Sequence, residues 1–162
     1  MIASMHEEVK RIFSQAPFIT NLGLELAALG QGECMTMLPL QKSHLQQDGY
    51  VHAGVHAAMA DHTAGGAAAT LIHNGQIVLT IEFKINLLRA AKGERLICRA
   101  KVLKPGNHFT VVESEVFCAS GRGVPRLQGN GNPGSGRCQK GVTAFSLCSC
   151  QANRQQKKEE AS

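Results

Sequence analysis

The spacing of apolar positions changes several times along the chain, and each change marks a new element. In residues 1–16, Ile2, Met5, Val9, Ile12 and Phe13 recur at helical spacing against His6, Glu7, Glu8, Lys10 and Arg11. This predicts an amphipathic helix that Pro17 stops. Residues 22–29 and 33–40 then read as a hairpin about Gly30-Gln31-Gly32, with Glu33, Met35 and Met37 alternating with Cys34, Thr36 and Leu38. A polar loop, 41–50, leads to residues 55–72, where Ala57, Ala58, Ala60, Ala64, Ala67, Ala68 and Ala69 surround Gly65 and Gly66. Small residues on nearly every side suit a helix approached closely all round, as one wrapped by a sheet must be. His73-Asn74-Gly75 ends it. Strand-like runs follow at 77–88, 94–104 and 108–117, with turns at 90–93 and 105–107. In the first run Thr80, Glu82, Lys84 and Asn86 alternate with Ile81, Phe83, Ile85 and Leu87, predicting one polar and one apolar face. Helix, two strands, long helix and at least three antiparallel strands make an α+β chain.

Composition narrows the class. At 162 residues the chain suits one domain with a modest core. Its amphipathic opening does not read as a signal peptide, and no apolar run reaches membrane-spanning length. A net charge of +5 invites a nucleic-acid reading, but much of the excess sits near the C-terminus and only 4% of residues are aromatic. Dispersed positive charge fits a polyanionic small molecule or simple solubility as well. The 6 cysteines contain no CxxC pair, so zinc spacing is absent and reduced thiols in a cytoplasmic protein are expected.

The densest chemistry lies in Asp48-Gly-Tyr-Val-His-Ala-Gly-Val-His-Ala-Ala-Met-Ala-Asp61. Gly49 and Gly54 loosen the chain before an alanine-rich helix, so the N–H groups of Ala53, Gly54 and Val55 are expected free at the positive helix end, able to polarise a carbonyl oxygen. Asp61 lies eight residues beyond Ala53. That is about 12 Å along a helix, so the two meet at one carbonyl only if a second chain supplies one of them. His52, His56, Asp61 and His62 form the one metal-like group. The acid of HExxH is missing, with Ala53 in its place, and no metal is assigned.

These residues resemble the hotdog-fold acyl thioesterases, in particular the PaaI (phenylacetyl-CoA thioesterase) family. The family pattern is His-Gly-Gly, six residues, Asp, then a strand leading to a Pro-Ala-x-x-Gly-Glu-like turn. It stands here as His52-Ala53-Gly54, Asp61, residues 80–88 and Arg89-Ala-Ala-Lys-Gly-Glu94. The resemblance covers about 13–117. It implies an antiparallel sheet wrapped around a long central helix, an acyl-CoA substrate, no cofactor, and a homodimer or homotetramer with active sites at the dimer interface. Asp61 is then general base or nucleophile. The N–H of Ala53, with Gly54, is the oxyanion donor; alanine is tolerable there if its φ is ordinary. Gln46 would orient water, Thr80 would lie near the acid, and His52 would fix the turn. For Gln46 a solvent-facing loop glutamine, and for Thr80 a half-buried strand threonine, are the plain alternatives. Arg89, Lys92, Arg95 and Lys104 sit at strand ends and turns and are candidates for coenzyme A phosphates.

Beyond Phe117 the resemblance stops. Residues 121–136 are rich in glycine, 141–150 carry Val142, Ala144, Phe145 and Leu147, and 154–160 are charged. The division expected is a hotdog domain at 1–117 and an atypical tail at 118–162, possible source of a last strand near 141–150. The acyl group reads only as small aromatic or medium-chain. Two other readings stay open: a hydroxyacyl-thioester dehydratase using His52 or His56 with Asp61, and a non-catalytic acyl-CoA-binding protein.

Overall fold

The structure, a computed structural model, describes residues 2–73, 76–106, 108–120 and 138–152. The predicted first helix is α1 (Ile2–Gln15). Pro17 does more than stop it. It begins a second short helix, α2 (Pro17–Leu22), at the first helical position, where its missing N–H costs nothing, and Gly23 at φ 77° closes that helix.

Strands β1 (Glu25–Gly30) and β2 (Glu33–Pro39) pair antiparallel around a turn that needs Gly32 at φ 70°. A single 3-10 turn, Lys42–His44, precedes the long helix α3 (Ala53–Ala69). Strands β3 (Gln76–Leu87), β4 (Arg95–Lys104), β5 (Phe109–Ala119) and β6 (Cys138–Ala152) are the remaining elements among the described residues. They form one six-stranded antiparallel sheet in the order β1-β2-β4-β5-β6-β3. The α+β class and the sheet around a central helix hold. Among the described residues no helix is long and apolar enough to cross a membrane.

Helix α3 lies in the core. Met59, Ala60, Ala64 and Ala67 are fully buried and belong to one cluster with Leu38 of β2, Leu96 and Cys98 of β4, and Val112 and Val116 of β5. Gly66 permits close packing there, since a Cβ would stand 3.0 Å from both Cys34 Sγ and the Phe13 ring and those side chains would have to give way. Burial of each large side chain stabilises by roughly 1.5–3 kcal/mol, so Met59, Leu38 and Leu96 contribute more than the alanines around them. The helix ends at Ala69, earlier than residue 72. Thr70 caps it, its hydroxyl donating to the Ala67 carbonyl at 2.7 Å and accepting from Gly32 N–H at 2.7 Å. Of the expected stop signal, Asn74 and Gly75 lie outside the described residues.

Strand β3 departs from simple alternation. Its register against β6 shifts between Thr80 and Glu82, leaving Ile81 as the extra residue of a bulge. Before the bulge Val78 and Thr80 face α3; after it Phe83 and Ile85 do, while Ile81 is 54% exposed. The expected polar face is therefore split: Thr80 faces α3, although it is exposed like Glu82 and Lys84.

Strand β6 runs between β5 and β3, with Ala144 and Cys148 buried. Residues 121–136 and 154–160, read as a glycine-rich stretch and a charged end, lie outside the described residues.

Candidate active site

The loop before α3 folds back on itself. Leu45 bridges Val51, Gln46 N–H donates to Tyr50 O at 2.8 Å, and Gly49, at φ 78°, donates to Gln46 O at 3.0 Å. His44 is the hidden support of this loop. It is 4% exposed, its Nδ1 accepts from Gln41 N–H at 3.1 Å, and its carbonyl accepts from His52 N–H at 2.9 Å. No motif in the sequence marks it; the only signal is a histidine at the end of a polar loop.

His52 is the N-cap of α3, with φ −63° and ψ 140°. Its Nδ1 accepts from Gly54 N–H at 2.9 Å and its carbonyl accepts from Val55 N–H at 3.0 Å. Two of the three N–H groups expected free are thus already committed, because a capping side chain and a tightened first turn satisfy them. The N–H of Ala53 is left, with no acceptor among the described residues. No described non-glycine residue has positive φ, so Ala53 has ordinary backbone and needs no glycine. Gly54 does face its neighbour closely: a Cβ would stand 3.0 Å from His52 Nδ1.

Asp61 projects from the middle of α3, half-buried, and the Thr80 hydroxyl donates to its Oδ1 at 2.8 Å. Ala57, Ala58, Asp61, His62 and Gly65 form the less buried stripe of the helix. On its flank, His62 packs edge-on against Phe13 with ring centroids 4.5 Å apart. Burial lowers the pKa values of His56 and His62, with neighbouring Asp61 opposing the shift at His62. His56 Nδ1 and His62 Nε2 are buried with no partner among the described residues.

The cations divide. Val51 N–H donates to Ala91 O at 3.0 Å, which ties the turn holding Arg89 and Lys92, both exposed, to the strand-like segment entering α3. Arg95 begins β4 close behind that turn, half-buried. Lys104 ends the same strand, about 30 Å away at roughly 3.3 Å per residue, so it does not join the other three in one chain. Likewise Ala53 and Asp61 stay apart on one helix. Gln46 is held by its backbone in the loop, half-buried.

Among the described residues no three His, Cys, Asp or Glu side chains are grouped to hold a metal ion. Cys34 and Cys98 are buried free thiols; burial raises both pKa values, that of Cys98 to about 12, which leaves them unionised and poorly nucleophilic. A cavity of about 460 Å³ lies at the far end of α3, between Leu71, His73, Gln76 and Thr110, away from the Ala53 end.

Residues 48–124 match the model of the thioesterase superfamily. A solved thioesterase family protein from Silicibacter pomeroyi superposes with a TM-score of 0.81 at 28% identity, covering 91% of this chain and 98% of that one. A thioesterase from Haemophilus influenzae superposes with a TM-score of 0.71, covering 90% and 92%, but at 16% identity it speaks for the fold alone. A 1,4-dihydroxy-2-naphthoyl-CoA hydrolase from Listeria monocytogenes is 26% identical over 95 residues, 59% of this chain and 77% of that protein. Its sheet-wrapped helix is the hotdog fold, and residues 48–124 resemble the thioesterase superfamily. These likenesses support thioester hydrolysis as the class of chemistry. These matches reach the superfamily and do not single out the PaaI branch.

Proposed function

We propose that the protein hydrolyses the acyl-CoA thioester of a small aromatic or medium-chain acid, at a site shared by two chains. The observation that carries this reading is the pairing of one uncommitted helix-start N–H, at Ala53, with a hydrogen-bonded carboxylate at Asp61 on the same helix. The N–H polarises the thioester carbonyl and steadies the oxyanion. Asp61 from the second chain then takes a proton from water as the water oxygen adds to the carbonyl carbon, or attacks that carbon itself to form an acyl-aspartate anhydride that water afterwards hydrolyses, freeing the acid and the carboxylate. The thiolate of coenzyme A departs in either case. Thr80 orients the carboxylate, Gln46 orients water, and His52 holds the helix start by accepting from Gly54. Arg89, Lys92 and Arg95 are offered to the nucleotide phosphates; Lys104 reaches the same phosphates only if another subunit brings it there.

Two features support the homodimer. Strand β3 is a sheet edge of 12 residues with Leu79 46% and Ile81 54% exposed, a surface that pairs readily with a second copy. The small residues Ala57, Ala58 and Gly65 around Asp61 leave room for another helix, and a Cβ on Gly65 meets nothing within 4 Å in the single chain. A homotetramer of two such dimers, in the cytoplasm, completes the proposal.

Release of free thiol from short, medium, long and aromatic acyl-CoAs tests it. Turnover that peaks on aromatic or medium chains is expected; equal inactivity on every thioester rejects the reading, and ligand binding without turnover points to the non-catalytic alternative.

A further inference from the structure

Helix α3 has little side-chain relief with which to lock itself against the sheet. Of its 17 residues, 8 are Ala and 3 are Gly. Helices keep their axial position by fitting side-chain ridges into grooves, and a surface this smooth offers few ridges. Yet Asp61 must sit within a fraction of an ångström of its working position.

Two buried hydroxyl contacts supply the missing register. Ser114 of β5 donates through Oγ to the Ala60 carbonyl at 3.1 Å, one residue before Asp61. Thr63, two residues after Asp61, donates to the Met59 carbonyl at 2.6 Å. Its Oγ1 also lies 2.7 Å from Thr36 Oγ1 of β2. A hydroxyl has one proton, and Thr63 has given its own to Met59, so Thr36 is the donor in that pair. Ser114, Thr36 and Thr63 are all 0% exposed. Because β2 and β5 flank β4 in the sheet, the contacts grip α3 from both sides of the central strand.

We propose that Ser114 and the Thr36–Thr63 pair are positioning residues, which set the axial register of α3 and so hold Asp61 against Thr80 and the substrate. The inference rests on Asp61 being the reacting acid. None of these hydroxyls touches the thioester; they act through the backbone at 59, 60 and 63.

The test measures kcat, KM and melting temperature together for Ser114→Ala, for Thr36→Val, which keeps shape while removing the donor, and for Ser114→Thr, which keeps the hydroxyl. Ile97→Val, buried in a separate cluster with Met35 and Phe117, serves as the stability control. The two hydroxyl-deleting variants should lose kcat about tenfold with KM within about twofold, as misplacement of a reacting group does. Ser114→Thr should hold kcat near wild type even where its added methyl lowers the melting temperature, and Ile97→Val should lower melting temperature alone. Wild-type kcat in folded Ser114→Ala or Thr36→Val overturns the proposal, as does an equal kcat loss in Ile97→Val. Should Ser114→Ala not fold, the isosteric Thr36→Val carries the decision. Asp61→Asn is assayed beside them: full activity there removes the underlying reading, whereas an inactive Asp61→Asn with unaffected hydroxyl variants removes only the positioning role.

Discussion

The Thr80 hydroxyl lies 2.8 Å from Asp61 Oδ1 and joins the middle of α3 to a strand at the edge of the sheet. Two irregular features make that contact. The bulge at Ile81 leaves Thr80 on the side of β3 that faces Asp61, and β6, whose Cys148 stands opposite Thr80 in the ladder, holds β3 to the rest of the sheet. The carboxylate is therefore oriented by a strand whose place depends on a distant part of the chain.

Removing the charge of Asp61 should remove the chemistry while keeping the fold. Asp61→Asn is expected to lower kcat by about 10²–10⁴ with an unchanged melting temperature, and Thr80→Ala, which loses orientation only, by about tenfold. Thiol release under saturating substrate measures both. Near-wild-type turnover in folded Asp61→Asn would falsify the assignment.

Ala53→Pro isolates the oxyanion donor unusually well. Position 53 is the first of the helix, where proline fits, and His52 already has the extended backbone that a residue before proline prefers. The variant should fold normally and lose about 10²–10³ in kcat. Mixed in equal amounts with Asp61→Asn, half of the reassorted dimers are heterodimers, each with one intact site, so activity should recover to about a quarter of wild type. Folded heterodimers that stay inactive exclude a shared site.

Stability should fall on acidification. His56 and His62 have folded-state pKa values depressed by burial, so below the unfolded value of about 6.5 the unfolded chain binds protons that the folded chain refuses. Their contribution is complete above that pH and is lost as pH falls toward the depressed folded values. Melting temperature should thus hold steady from pH 8 to 7 and drop below about 6.5, less steeply in His56→Gln. A profile flat to pH 5 contradicts the assignment of neutral buried rings.

A chain ended after Ser120 lacks β6. It leaves β3 with no partner strand and uncovers core once packed on Ala144 and Cys148. Such a chain is expected to lose cooperative melting and thiol release together. Full stability and activity in the shortened protein would show that β6 contributes nothing to the fold.

What the amino-acid order determined by itself is local. Helical spacing in 1–16 and the small residues of 55–72 are properties of neighbouring positions, as are the alternation in β2 and the His52-to-Asp61 interval, so each could be read without coordinates. Helix rise alone separated Ala53 from Asp61. The tertiary structure decided what depends on distant pairing. It committed Gly54 and Val55 N–H to His52, reversed the faces of β3 at Ile81, and set His44 beneath the loop. It also sent β6, from the weakest pattern in the chain, between β5 and β3. A strand's neighbour and register are fixed by which faces must be buried together between segments far apart in sequence, and no window of adjacent residues carries that information.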